Sequence, residues 1–257
     1  MGQAARDAAE LLGQARRVVI FTGAGMSAES GVPTFRDALT GLWRQFDAQA
    51  LATPDAFRAD PALVWGWYEW RRATVRQARP NAGHVAVAAI EARVPSSVLV
   101  TQNVDDLHER AGSAAPVHLH GSLFAPHCSG CAQPAPVPDL TEEPAEGRRI
   151  PPPRCARCSA AVRPGVVWFG EALPTEALEA AVEAASTCDL LLTVGTSGLV
   201  YPAAEIPQVA ARLGAAVIQV NPEETPLDRV ADVNLRGPAA RVLPALVDAA
   251  WDRPHGA

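Results

Sequence analysis

Short apolar blocks alternate along this chain with amphipathic stretches. Val18-Val19-Ile20-Phe21 is a run of β-favouring residues that stops at Thr22-Gly23, which predicts a strand buried on both faces. Ser96–Thr101 (SSVLVT), Leu190–Val194 and Ala216–Val220 repeat the pattern, and Val117–His120 and 231–235 are shorter candidates. Helical spacing is expected over 5–16, over 54–93 in pieces divided by Pro61 and by Pro80-Asn81, over Asp105–Ala111, and over 175–186, 202–213 and 238–251. Strands that alternate with helices predict an α/β fold whose mostly parallel sheet is covered on both faces.

Residues 125–165 break the alternation. Pro, Cys and Arg dominate there, and PVPDLTEEPAEGRRIPPP has no hydrophobic period, so something other than a core must hold the segment. Cys128-x-x-Cys131 and Cys155-x-x-Cys158 supply two knuckles with 23 residues between them. Two such pairs around one insert fit a tetrahedral Zn²⁺ site better than disulfides or a redox-active pair. Four thiolates close the coordination shell, so the expected zinc is structural, and it can supply folding energy that the segment lacks. A nucleic-acid zinc ribbon is the rival, disfavoured by the acidic Asp139, Glu142, Glu143 and Glu146. Cys188 stands apart as a small buried residue before a strand. The expected organisation is a sheet domain over 1–124 and 166–257, with a helical insert at about 40–80 and a cysteine module over 125–165.

Charge and composition narrow the partners. The net charge is −6, against the basic footprint that nucleic acid requires. All 22 basic residues are Arg, so the chain has no lysine side chain of its own to be acylated. The start, MGQAARDAAELLGQARR, is a polar helix rather than a signal sequence, and no apolar run approaches the ~18 residues of a membrane span. The expectation is a cytoplasmic protein with no membrane or nucleic-acid partner and with a monomer as the default state.

Gly23, Asn103, His120, Gly195 and Asn221 all fall at or just after predicted strand ends, where open parallel sheets bind ligands. Gly23-Ala24-Gly25 can turn backbone N–H groups toward a pyrophosphate, although the third glycine of a regular G-x-G-x-x-G fingerprint would fall on Ala28. Over the longer run Gly23-Ala24-Gly25-Met26-Ser27-Ala28-Glu29-Ser30-Gly31-Val32-Pro33-Thr34-Phe35-Arg36, the sequence resembles the first NAD motif of the sirtuin family. Thr101-Gln102-Asn103-Val104-Asp105, His120-Gly121, Gly195-Thr196-Ser197 and Asn221-Pro222-Glu223 follow in the family's order, and the likeness covers roughly residues 10–245.

The resemblance implies a Rossmann-like NAD-binding domain with a zinc module, and an NAD-dependent protein-lysine deacylase that consumes NAD and releases nicotinamide, free lysine and O-acyl-ADP-ribose. It places pyrophosphate on Gly23, Ala24 and Gly25, with Ser27, Gln102, Val104, Thr196, Pro222 and Glu223 nearby, and adenosine near Gly195, Ser197, Asn221 and Ala239. Phe35 and Arg36 would lie over the nicotinamide ribose. His120 would be the general base on a ribose hydroxyl, Asn103 would orient the ribose and a water, and Asp105 would hydrogen-bond the nicotinamide amide. His118, two residues back on the same strand face, competes for the base role. His84, in Asn81-Ala82-Gly83-His84, reads as a helix-start residue.

Tyr68 and Arg71 lie three apart on a predicted helix and so share a face, where a phenol and a guanidinium can hold a carboxylate. The pair resembles the Tyr-x-x-Arg of class III sirtuins, and Ala52 matches their small pocket residue. This implies succinyl- and malonyl-lysine as substrates, with acetyl-lysine beside them. Val167-Trp168-Phe169-Gly170 would lie along the substrate peptide as an added strand, by pairing with its backbone. A core strand is the plainer reading of that stretch. A plain deacetylase, a mono-ADP-ribosyltransferase and a catalytically silent NAD- or zinc-binding module are the rival functions.

Overall fold

Six parallel strands form the centre of the molecule. The computed structural model describes residues 2–33, 47–137 and 148–251. In chain order the strands are β1 (Arg17–Thr22), β2 (Ser96–Thr101), β3 (Val117–His118), the short β4 (His127–Cys128) and β5 (Val162–Arg163), then β6 (Leu190–Val194), β7 (Ala216–Val220) and β8 (Val233–Leu235). The large sheet runs β3-β2-β1-β6-β7-β8, and β4 and β5 pair separately and antiparallel. The chain order reverses between β1 and β6, where Ile20 is in register with Leu192, and such a reversal opens a crevice beyond the strand ends.

Successive side chains of a strand point to opposite faces, and here both faces are buried. Val18 and Ile20 join Leu99, Leu192 and Ile218 in one core, covered by α1 (Gln3–Gln14), α6 (Ala82–Arg93) and α10 (Ala239–Trp251). Val19 and Phe21 join Val100, Leu191 and Val217 in the other, under α8 (Thr175–Thr187) and α9 (Ile206–Arg212). Ile20 and Phe21 are fully buried, and each such side chain contributes about 1.5–3 kcal/mol of transfer free energy. This double burial explains why the strands read as continuous apolar runs.

The third core lies outside the sheet. α3 (Ala48–Leu51), α4 (Pro54–Ala59) and α5 (Pro61–Gln77) pack Leu51, Ala52, Phe57, Trp67 and Tyr68 against Leu123, Val166 and Trp168. Asp60 caps α5 by accepting the Leu63 N–H at 3.0 Å, with Pro61 at the first turn where its missing N–H is harmless. α5 then buries residues almost all round, Arg71 and Arg72 among them.

Three predicted elements differ from the observed ones. Val117–His120 shortens to β3 because Leu119 makes one last bond to the Thr101 carbonyl and the chain then turns at Gly121, whose φ is +73°. The helix expected over 202–213 divides into a 3₁₀ turn at Ala203–Glu205 and α9, since Pro207 is tolerated only in a helix's first turn. Residues 166–171 form no strand: they make a single bridge, Gly121 to Val166. The short helices α2 (Gly25–Ala28) and α3 (Ala48–Leu51) were not expected from the pattern, whereas α7 (Leu107–Arg110) lies inside the expected 105–111. No helix among the described residues is long and apolar enough to cross a membrane.

Candidate active site

Four strands, β1, β2, β6 and β7, deliver their ends to the crevice. Gly23 donates its N–H to Val194 O at 3.0 Å, and Gly25 donates to Gly195 O at 2.8 Å, so the loops after β1 and β6 lie directly on each other. Gly195 has φ +60°, and a Cβ there would lie 2.5 Å from the Met26 nitrogen. Backbone alone fits at that crossing, which is why the run after β1 needs glycine although it lacks a regular fingerprint. The Gln102 amide reaches Thr196 Oγ1 at 2.9 Å, and Asn221 Nδ2 donates to Thr196 O at 2.8 Å. Asn221 in turn accepts the Glu223 N–H at 3.2 Å, next to Pro222, and Ser197 Oγ accepts the Leu199 N–H. Buried Ala239 opens α10, and the Ala240 N–H is held by the Glu29 carboxylate at 2.8 Å. Phe35 and Arg36 lie outside the described residues, as do Asp139, Glu142, Glu143 and Glu146.

Ser27 is the hub beneath these loops. Its hydroxyl donates to Asp105 Oδ2 at 2.9 Å and accepts from Asn103 Nδ2 at 3.1 Å, so one serine ties the loop after β1 to the loop after β2. Burial raises the pKa of Asp105, against the opposing hydrogen bonds from the Leu107 N–H and Ser27. His84 caps α6 together with Asn81, as its place in the sequence suggests, and its Nε2 lies 3.5 Å from Ser27 Oγ. His108 packs edge-on against His84 with ring centroids 4.9 Å apart and reaches Thr22 Oγ1 at 3.0 Å.

The two histidines after β2 have different surroundings. His118 Nδ1 lies 3.0 Å from Asn103 O and Nε2 lies 2.7 Å from Glu109 Oε1, so both ring nitrogens meet acceptors. Burial opposes charge on His118, but Glu109 and the Asn103 carbonyl outweigh it and raise the pKa. With both ring nitrogens engaged, neither is free to take up a proton from a ligand. His120 places Nδ1 3.0 Å from the Gln102 carbonyl, which fixes the proton on that nitrogen and leaves Nε2 as the basic one. Burial lowers its pKa, only partly countered by the Gln102 carbonyl. The neutral ring suited to general-base work is therefore His120.

Tyr68 and Arg71 come together as their spacing predicts, both buried. The Trp168 indole N–H donates to Tyr68 Oη at 3.1 Å, and the Arg71 guanidinium lies 5.2 Å from the Trp67 ring centroid. Burial raises the Tyr68 pKa, against Arg71 and the Trp168 bond, so the phenol stays protonated. Ala52, also buried, accepts the Phe169 N–H at 2.9 Å, and the Val167 N–H donates to His120 O at 2.9 Å. Residues 167–169 thus bridge the base and the Tyr68 wall, with Phe169 itself 42% exposed at the opening and Gly170 at φ +88° turning the chain away. An open cleft of about 670 Å³ lined by Arg76, Gln77, Arg79, Pro80 and Arg110 includes none of these residues.

The four paired cysteines converge. Cys128 and Cys158 sulfurs are 3.4 Å apart, Cys131 and Cys155 sulfurs 3.7 Å, and all four lie within 4.8 Å of one another. A tetrahedron with Zn–S near 2.3 Å has edges of about 3.8 Å, so the set fits zinc. N–H groups of Cys131 and Gly130 point at Cys128 Sγ and pull its pKa down to about 6, which favours the thiolate that a metal needs. Cys188 ends α8, with its thiol on the Ala185 carbonyl and its pKa pushed up to about 11 by burial.

Pattern reading did not single out Arg163 or Glu171. Arg163 forms a two-pronged ion pair with Glu171, at 2.6 and 2.8 Å, and stacks 3.5 Å from the Trp168 ring centroid. The signal available was Glu171 closing the run Val166–Glu171 and an Arg just after the cysteine module. Nothing in their spacing links the two.

A six-stranded parallel sheet with a ligand crevice at its reversal point, a neutral histidine at the crevice and a four-thiolate module define a nucleotide-binding enzyme of the Rossmann class. The model of the Sir2 family matches residues 23–202. The chain is 60% identical over 239 residues to an NAD-dependent protein deacylase of Methylococcus capsulatus, covering 93% of this chain and 94% of that protein. Among solved structures it is similar to a Sir2 homolog–NAD complex (TM-score 0.88, 43% identity, 95% of this chain and 93% of that one). It is also similar to Sir2Af2 bound to a myristoylated histone peptide (TM-score 0.79, 35% identity, 97% of each). The chain belongs to the Sir2 family and is an NAD-dependent protein deacylase.

Proposed function

We propose that the chain removes succinyl and malonyl groups, and acetyl groups beside them, from protein lysines, with NAD consumed as co-substrate. The Gly23–Gly25 turn lies along the pyrophosphate, and Gly195, Ser197 and Asn221 line the adenosine side. Ser27 fixes Asn103 and Asp105 beneath the nicotinamide ribose, where Asn103 orients the ribose and a water and Asp105 takes the nicotinamide amide. His120 accepts the ribose hydroxyl proton at Nε2. The peptide backbone pairs with Val167–Gly170, and its acyl-lysine enters beside Ala52. The thiolate cluster holds zinc as a closed structural site and takes no part in the chemistry.

The observation that carries the acyl preference is the Tyr68–Arg71 pair, buried under Trp168 in the same apolar cluster as Ala52. In so dry a place a phenol and a guanidinium bind a carboxylate strongly, because charge-assisted hydrogen bonds are not diluted by water. A purely apolar acyl group gains nothing from them. The test is steady-state turnover of matched succinyl- and acetyl-lysine peptides by native enzyme and Arg71→Met. KM for the succinyl peptide is expected to rise about 10–100-fold, the size of one lost hydrogen bond to a charged group, while acetyl turnover holds within about twofold. Equal effects on the two peptides, or native activity on acetyl alone, would leave a plain deacetylase.

A further inference from the structure

A tyrosine hydroxyl has one proton to give and an in-plane position at which to accept, so whichever partner takes the accepting position decides where the proton points. At Tyr68 that partner is fixed. The Trp168 indole N–H, a donor that cannot accept, fills the accepting side at 3.1 Å. Among the described residues nothing accepts the phenolic proton. Burial keeps the phenol neutral, so the proton remains available to a ligand.

The indole is held by groups that belong to a different part of the chain. Arg163 ends β5, one residue past Val162, whose partner across the pair is Cys128. Its guanidinium lies over the Trp168 ring, 3.5 Å from the centroid, as a cation on an aromatic face. Both prongs bond the Glu171 carboxylate, and Nη2 also bonds Val166 O at 3.1 Å. Glu171 Oε2 accepts the Trp168 backbone N–H at 2.9 Å. Phe57 supports the ring from another side with centroids 5.3 Å apart. Main chain and ring of Trp168 are thus clamped by one ion pair. The pair is only partly exposed, at 14% for Arg163 and 27% for Glu171, so it is screened less than a surface pair.

We propose that Arg163 and Glu171 are positioning residues for carboxyl-bearing acyl groups. They hold Trp168 so that its indole N–H saturates the accepting side of Tyr68, and the Tyr68 proton is thereby aimed at the acyl carboxylate beside Arg71. This inference rests on the succinyl and malonyl reading above. It adds that acyl choice is set in part by the exit strand of the cysteine module, from residues that touch neither substrate nor NAD.

The test compares KM and kcat of native enzyme, Arg163→Met, Arg163→Lys and Glu171→Gln on matched succinyl- and acetyl-lysine peptides, with zinc content and thermal melting as checks on folding. Arg163→Met keeps an unbranched side chain over the indole while removing the cation and both bonds to Glu171. It is expected to raise KM for the succinyl peptide about tenfold, the lower end of the loss of a charged hydrogen bond, with kcat and the acetyl KM within about twofold. Arg163→Lys, which keeps a cation over the ring, should recover about half of that change on a logarithmic scale. Should Arg163→Met lose zinc or melt early, Glu171→Gln carries the test and is expected to shift the succinyl KM in the same direction. Unchanged succinyl KM in folded variants, or equal loss on both peptides, overturns the proposal and leaves the Tyr68–Arg71 reading standing. Native enzyme that ignores succinyl peptide overturns both.

Discussion

The carboxyl edge of the sheet and the wall around Tyr68 are built by different means. At the edge the construction is largely backbone: Gly23, Gly25 and Gly195 bring two loops into contact, and Ser27 and Thr196 lock neighbouring side chains with short hydrogen bonds. At the wall it is mainly side chain, assembled from α5, the loop before α4 and the stretch leaving the cysteine module. A backbone site accepts one ligand shape and tolerates little change. A side-chain site can alter its preference through one residue. The proposed function therefore puts cofactor chemistry and substrate choice on separate structural elements.

Breaking the edge should affect every substrate alike, whereas breaking the wall should affect one class. The largest effect is expected from His120→Ala, which removes the neutral ring and should lower kcat on succinyl and acetyl peptides equally, by about 10²–10⁴-fold. Melting temperature and zinc content should hold. Activity retained within tenfold would move the base elsewhere, with His118 as the first candidate despite its two bonded nitrogens.

A smaller effect sharpens the same contrast through pH. Beneath the edge, burial pushes His84 down to about 4, and burial together with His84 and His118 pushes His108 down to about 3. Both values lie below the ordinary 6.5, so on acidification the unfolded chain takes up these protons first. The stability these rings support is complete above pH 6.5 and drains as pH falls toward about 4 and then about 3, at up to about 1.4 kcal/mol per pH unit for each ring. Urea midpoints between pH 7 and 5 should decline, and His108→Leu should flatten that decline whatever it does to stability at pH 7. An unaltered slope would mean that His108 titrates normally.

The edge was more legible than the wall, for a physical reason. Parallel strands buried on both faces must be apolar throughout, so β1, β2, β6 and β7 stand out in the sequence, and ligand-binding positions follow at their ends. The cysteine spacing was equally direct, since two knuckles are local motifs. Tyr68 and Arg71 were legible as a pair because three residues on a helix share a face, but their roof was not. Trp168 lies 100 residues from Tyr68, and Arg163 joins Glu171 through a fold-dependent turn. His118 and His120 share a strand face in the sequence pattern, and the resemblance at His120-Gly121 alone favoured the second. They separate only because β3 ends at His118 and Glu109 reaches that ring alone.

If one crevice couples NAD cleavage to acyl transfer while the Tyr68 wall admits a carboxylate, the product balance of native enzyme with NAD and a succinyl-lysine peptide, followed by mass spectrometry, will show it. The account predicts one nicotinamide, one free-lysine peptide and one O-succinyl-ADP-ribose per NAD consumed. Nicotinamide release with the succinyl group still on the peptide, or no reaction of NAD with any acylated peptide, would contradict it.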